Sequence, residues 1–171
     1  MTPLRRQEGF TFVEILITLV FLSVAFLAVT SQFPMGLSVS ETAEDLTIEV
    51  NLAQELMEEI RTLAWQEYPG APMGPDAGET SRDWYDDIDD YHGLSEQPPV
   101  DLAGVPMDGT GGTPNFSQYR RSVSVAYVDT TTLLDTGGVV TPFKKVTVTV
   151  TNTTRRLPHS SSLQLILAWS P

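Results

Sequence analysis

The sequence predicts an α+β fold: a long N-terminal helix, membrane-spanning in its first half and amphipathic in its second, packed on a small C-terminal antiparallel β-sheet. Three observations carry this expectation. Residues 10–29 are apolar except at Thr11, Glu14, Thr18 and Ser23. Val39, Ala43, Leu46, Val50, Ala53, Met57, Ile60 and Ala64 then recur at alternating spacings of four and three. After Pro114 the pattern changes to strict period two.

The chain has 171 residues and no cysteine, which removes disulfides, thiolate metal sites and cysteine nucleophiles. Its net charge of −12 is unevenly spread. Between Ser38 and Asp108 there are 18 acids against Arg61 and Arg82, whereas Gly109 to Pro171 holds two acids and six bases. The acidic centre repels a phosphate backbone, so nucleic acid is not an expected partner. The asymmetry serves either solubility or head-to-side contact between copies or relatives of the chain.

The first element is the apolar run. Twenty helical residues at about 1.5 Å each reach roughly 30 Å, the thickness of a hydrocarbon core. Its apolar character goes all the way round, unlike that of a surface helix. Arg5 and Arg6 precede it, which keeps the N-terminus in the cytoplasm and sends the remainder across the membrane. A conventional signal peptide ending near Ala28 to Ser31 and a plain signal anchor both fit this much.

The junction Gly9-Phe10-Thr11-Phe12-Val13-Glu14 resembles that of the type IV pilin superfamily. That resemblance implies a leader of residues 1–9 removed after Gly9 by a prepilin peptidase. It also implies N-methylation of the new terminus at Phe10, and a helix in which Glu14 serves subunit assembly. Glu8, before Gly9, is a departure, since relatives more often carry a basic or neutral residue there. A carboxylate at membrane depth is costly and normally marks function or a partner. Cutting after Gly9 would create such a partner, the α-amino cation of Phe10, and pairing between neighbouring subunits would set their stagger. The resemblance implies a structural subunit rather than an enzyme, either a minor pilin or a type II secretion pseudopilin. Its expected partners are the peptidase, other pilins or pseudopilins in a helical filament, and the bacterial inner membrane. The implied topology is single-pass, with the C-terminal domain periplasmic before assembly into a pilus or pseudopilus.

The remaining elements follow in order. The membrane or filament-core helix is expected over 10–33, with Pro34-Met35-Gly36 interrupting it, and an amphipathic helix over 37–66. Leu52, Leu56 and Leu63 widen its stripe, while Glu41, Glu44, Asp45, Glu49, Glu55, Glu58 and Glu59 mostly occupy the other face. Residues 67–114 read as an acidic loop region rich in proline and glycine. Within it Asp86, Asp87, Asp89 and Asp90 fall in five residues ahead of Gly93, a density compatible with a calcium loop, though not of EF-hand pattern. The alternative is a solvated loop with Trp84, Tyr85, Ile88 and Tyr91 packing inward. The sheet is expected over 115–171, with three strands carrying Arg121-Val123-Val125-Tyr127, Val146-Val148-Val150 and Leu163-Leu165-Leu167-Trp169 on one face. That face is the natural cover for the helical stripe. No catalytic constellation is legible: Gly109 to Thr113 lacks the lysine of a nucleotide loop, and His92 and His159 show no ligand spacing. A membrane-anchored periplasmic binding domain that never polymerises, and a conventionally secreted protein, are the alternatives.

Overall fold

The computed structural model describes residues 9–31, 33–66, 68, 70, 72–155 and 159–169. The leader positions Arg5, Arg6 and Glu8 and the connection at 156–158 lie outside the described residues. The chain divides into two compact units, Met1–Glu44 and Asp45–Pro171.

The first unit holds helix α1, Phe12–Thr30, and the start of helix α2, Phe33–Ile60. Thr11 caps α1 in an extended conformation, its hydroxyl accepting from the backbone N–H of Glu14 at 3.2 Å. Thr11-Phe12-Val13-Glu14 thus has the threonine-to-acid spacing of a capping box. The helix is two residues shorter at its start than expected, because the cap takes Thr11, and it ends at Thr30 rather than 33. Pro34 falls in the first turn of α2 instead of after a break at 37. In a first turn the missing proline N–H has no helical partner to lose.

The second unit contains the rest of α2 and a four-stranded antiparallel sheet in the order β1-β2-β3-β4. The strands are β1 (Ser95–Glu96), β2 (Tyr119–Tyr127), β3 (Phe143–Asn152) and β4 (His159–Ala168). Three were expected; the fourth, β1, is contributed by the acidic loop region. Register places one residue from each long strand in every inward row. Val123, Val148 and Leu163 form one row, and Val125, Val146 and Leu165 the next. Alternation of β-branched residues with polar ones puts these rows on a single face.

That face is covered by Leu52, Ala53, Leu56, Met57 and Ile60 of α2, all buried, together with Ile88, Tyr91 and Met107 from the loops. Each fully buried aliphatic side chain contributes about 1.5–3 kcal/mol relative to exposure. The stripe is covered only in this C-terminal part, since Leu46 and Val50 remain exposed. Helix α2 stops at Ile60, not 66. The chain turns there because Ala64 bridges to Asp87, with its carbonyl accepting from the N–H of Ile88 at 3.1 Å.

The acids of α2 do not all face solvent. Glu49 is fully buried. Asp45 accepts from the Tyr119 hydroxyl at 2.7 Å and pairs with Arg155. Glu59 accepts from the Tyr91 hydroxyl at 2.5 Å and pairs with Arg82. The sequence separation of charge therefore closes inside the fold. Arg121 and Lys144, from the basic tail, pair with Glu96 and Asp89 of the acidic centre, and both cations are fully buried.

Candidate functional site

Gly9 and Phe10 are exposed and precede the first helical turn, with Phe10 81% exposed. Nothing lies within 4 Å of where a Cβ on Gly9 would stand, and its backbone is not in the left-handed region. The fold gives position 9 neither a steric nor a conformational reason to be glycine.

Helix α1 has no buried residue. It is long and apolar enough to cross a membrane, and a signal sequence near an N-terminus has the same character. Its polar interruptions are nearly all satisfied internally. The Thr18 hydroxyl donates to the Glu14 carbonyl at 2.7 Å, that of Ser23 to the Leu19 carbonyl at 2.7 Å, and that of Thr30 to the Phe26 carbonyl at 2.9 Å. Such back-bonding is what an apolar solvent requires of a hydroxyl. The Glu14 carboxylate alone among these side chains shows no hydrogen-bond partner among the described residues. It stands in the first turn, where the helix dipole favours negative charge. The capping spacing that places it there was readable from the sequence as Thr-x-x-Glu before an apolar run.

The acidic turn resolves differently from its expected role. Asp89–Tyr91 form a short 3₁₀ turn in which Asp89, Asp90 and Tyr91 are buried. Asp87 Oδ1 accepts from the N–H groups of Asp89 (2.6 Å) and Asp90 (3.3 Å). Asp90 Oδ2 accepts from those of Asp86 and Asp87, both at 3.0 Å. Asp89 faces Lys144 Nζ at 2.8 Å. The four aspartates do not converge as one ligand set: Asp87 and Asp89 are committed to backbone donors and to Lys144. The carboxylates that do converge are Glu79, Asp86 and Asp90, each offering one oxygen within 4.8 Å of the others. Glu79 lies seven residues upstream of Asp86, so spacing alone did not reveal it. Hard oxygen donors of this kind suit calcium or magnesium, with water completing the shell. Burial pushes the Asp90 carboxyl up to about 7, and Glu79 beside it adds to the rise. Of the four residues expected to pack inward, Ile88 and Tyr91 do, Tyr85 meets Tyr91 edge to face, and Trp84 is 67% exposed.

Behind this turn lies a buried polar layer. Lys144 is held by Asp89 and by the Trp65 carbonyl at 2.5 Å, with the Trp65 ring 4.4 Å from Nζ. Burial acts to raise Glu59, but hydrogen bonds from Arg82 and Tyr91 hold it below the ordinary carboxylate range. Burial likewise acts to raise Asp45, and Tyr119, Arg155 and Asn152 hold it low. These groups fasten helix, loop and sheet together. Asn152 is buried, its amide donating to Asp45 at 3.3 Å.

Comparison with protein-family models, with curated proteins and with solved structures gives no match.

Proposed function

We propose that this chain is a minor pilin or pseudopilin, a structural subunit of a type IV pilus or type II secretion pseudopilus. On this reading α1 inserts in the bacterial inner membrane with its N-terminus cytoplasmic and the Asp45–Pro171 unit periplasmic. A prepilin peptidase cuts after Gly9 and Phe10 is methylated. The subunit then joins a filament through its N-terminal helix, a pilin-like use of an α+β fold.

The observation that carries the reading is the Glu14 carboxylate. Among the described residues it has no hydrogen-bond or ion-pair partner, in an apolar helix with no buried residue, four residues after the exposed Phe10 of the Gly-Phe junction. An unpaired carboxylate in hydrocarbon is strongly disfavoured. A neighbouring subunit's Phe10 amine would compensate it, and the low dielectric would penalise every register that separates the two.

Gly9→Ala tests the reading. The added methyl meets open space, so the substitution leaves the fold intact and isolates processing. The expected result is an uncut, membrane-held precursor; normal processing would remove the proposal. On the same reading calcium is held by Glu79, Asp86 and Asp90 rather than by Asp86, Asp87, Asp89 and Asp90.

A further inference from the structure

Strand β4 closes one side of the sheet and pairs only with β3. Among the described residues, nothing pairs with its outer edge along ten residues. Folded proteins normally protect such an edge with lysine, proline, a bulge or a very short strand. The opposite side follows that practice, since β1 is two residues long. Strand β4, His-Ser-Ser-Ser-Leu-Gln-Leu-Ile-Leu-Ala, contains no proline, carboxylate, lysine or arginine. In a chain of net charge −12 this is a conspicuously neutral edge.

The space beside the edge has its own chemistry. Leu163 and Leu165 are only half-buried. With Gln54, Met57 and Glu58 of α2 and Arg61 just beyond its end they line a groove of about 420 Å³. A strand added to β4 would direct alternate side chains toward this groove. On the other face Lys145 stands beside Ile166, in register one strand in from the edge. Among the described residues Lys145 makes no ion pair, whereas Arg61, Arg82, Arg121, Lys144 and Arg155 each face a carboxylate and Arg120 donates to Gln97 at 3.1 Å. Two strand spacings, about 10 Å, separate Lys145 from an added strand, within combined reach of a lysine and a glutamate.

We infer that the open edge of β4 docks an extended strand of a different protein, apolar at alternate positions and bearing an acidic residue on its outward row near Lys145. Main-chain hydrogen bonds to the neutral edge supply affinity, the groove reads the apolar row, and Lys145 selects charge. A second copy of this chain is disfavoured, because its own β4 carries no carboxylate to meet Lys145 and the two copies share a net charge of −12.

The test uses the full chain in nanodiscs and a synthetic peptide alternating valine with threonine and carrying one glutamate. Binding is followed by amide hydrogen exchange. The expected result is saturable binding that slows exchange of alternate amides in β4. Lys145→Glu should weaken the peptide about fivefold and strengthen the version with lysine in place of glutamate by a similar factor. No binding, or protection elsewhere than β4, overturns the inference. Protection of β4 that grows with protein concentration without peptide makes a second copy the occupant and overturns the partner assignment. Neither result depends on whether the leader is cut after Gly9, so failure here and failure of the functional proposal are distinguishable.

Discussion

Replacing Lys144 by methionine removes a fully buried cation while roughly keeping its volume. Its Nζ lies 2.8 Å from Asp89, which is 1% exposed. At an effective dielectric near 20, that separation corresponds to roughly 6 kcal/mol of attraction, and breaking buried pairs typically costs about 3–5 kcal/mol. Protonation caps the loss. An ordinary carboxylate, pKa about 3.9, is neutralised at pH 7 for about 4 kcal/mol and at pH 5 for about 1.5 kcal/mol. Lys144→Met is therefore expected to destabilise the Asp45–Pro171 unit by about 3–4 kcal/mol at pH 7 and by half that or less at pH 5. Lys144→Met with Asp89→Asn should recover most of the loss, because no buried charge then remains. Urea unfolding of the full chain in detergent, followed by near-ultraviolet circular dichroism, reports the packing around Trp65. A penalty under about 1 kcal/mol at pH 7, or one equal at both pH values, would refute the reasoning.

Other outcomes are as specific. Leu56→Ala, at a fully buried core position, should cost about 2–5 kcal/mol in the same unfolding experiment. The pH dependence of melting has two opposed contributions. Asp45 and Glu59 are held below their ordinary values, so their stabilisation is present above the ordinary carboxylate range and is lost as pH falls through their folded pKa values. Asp90 is raised to about 7, so its contribution is present below the ordinary range and is lost as pH rises through about 7. Asp90→Asn mimics the neutral form and should flatten this fall of stability between the ordinary carboxylate range and about pH 7; an unchanged fall assigns it to another group. At pH 8 calcium should raise the melting temperature, and a chelator or Asp90→Asn should abolish that rise, if Glu79, Asp86 and Asp90 hold the cation. Glu14→Ala should permit cleavage yet impair incorporation into filaments, read by fractionating assembled from membrane-bound protein; equal incorporation would show that the carboxylate does not set register.

Periodicity made most of the architecture legible. Period two located all three long strands because Val123 and Val125, Val146, Val148 and Val150, and the half-buried Leu163, Leu165 and Leu167 point inward at every second position. The heptad stripe located α2 but not its end, since the turn at Ile60 answers to the pairing of Ala64 with Asp87, a contact across 23 positions. Acid density misled at two places. Glu49 and Glu59 look like solvent-facing helix residues until Ser161, Arg82 and Tyr91 arrive from distant segments. Asp87 and Asp89 look like cation ligands until backbone N–H groups and Lys144 take them. Composition records how many charges a segment holds, whereas their roles are set by which opposite charges the fold brings beside them. Glu14 is the reverse case. The sequence marked it as a misfit, and the helix around it satisfies the hydroxyl of every other polar interruption while this carboxylate has no partner among the described residues.

The most direct test of that account is the mass of the mature N-terminus in the native membrane fraction. The proposal predicts a chain beginning at Phe10 and carrying one N-methyl group. An intact Met1, or a chain beginning near Thr30 to Gln32, would contradict it.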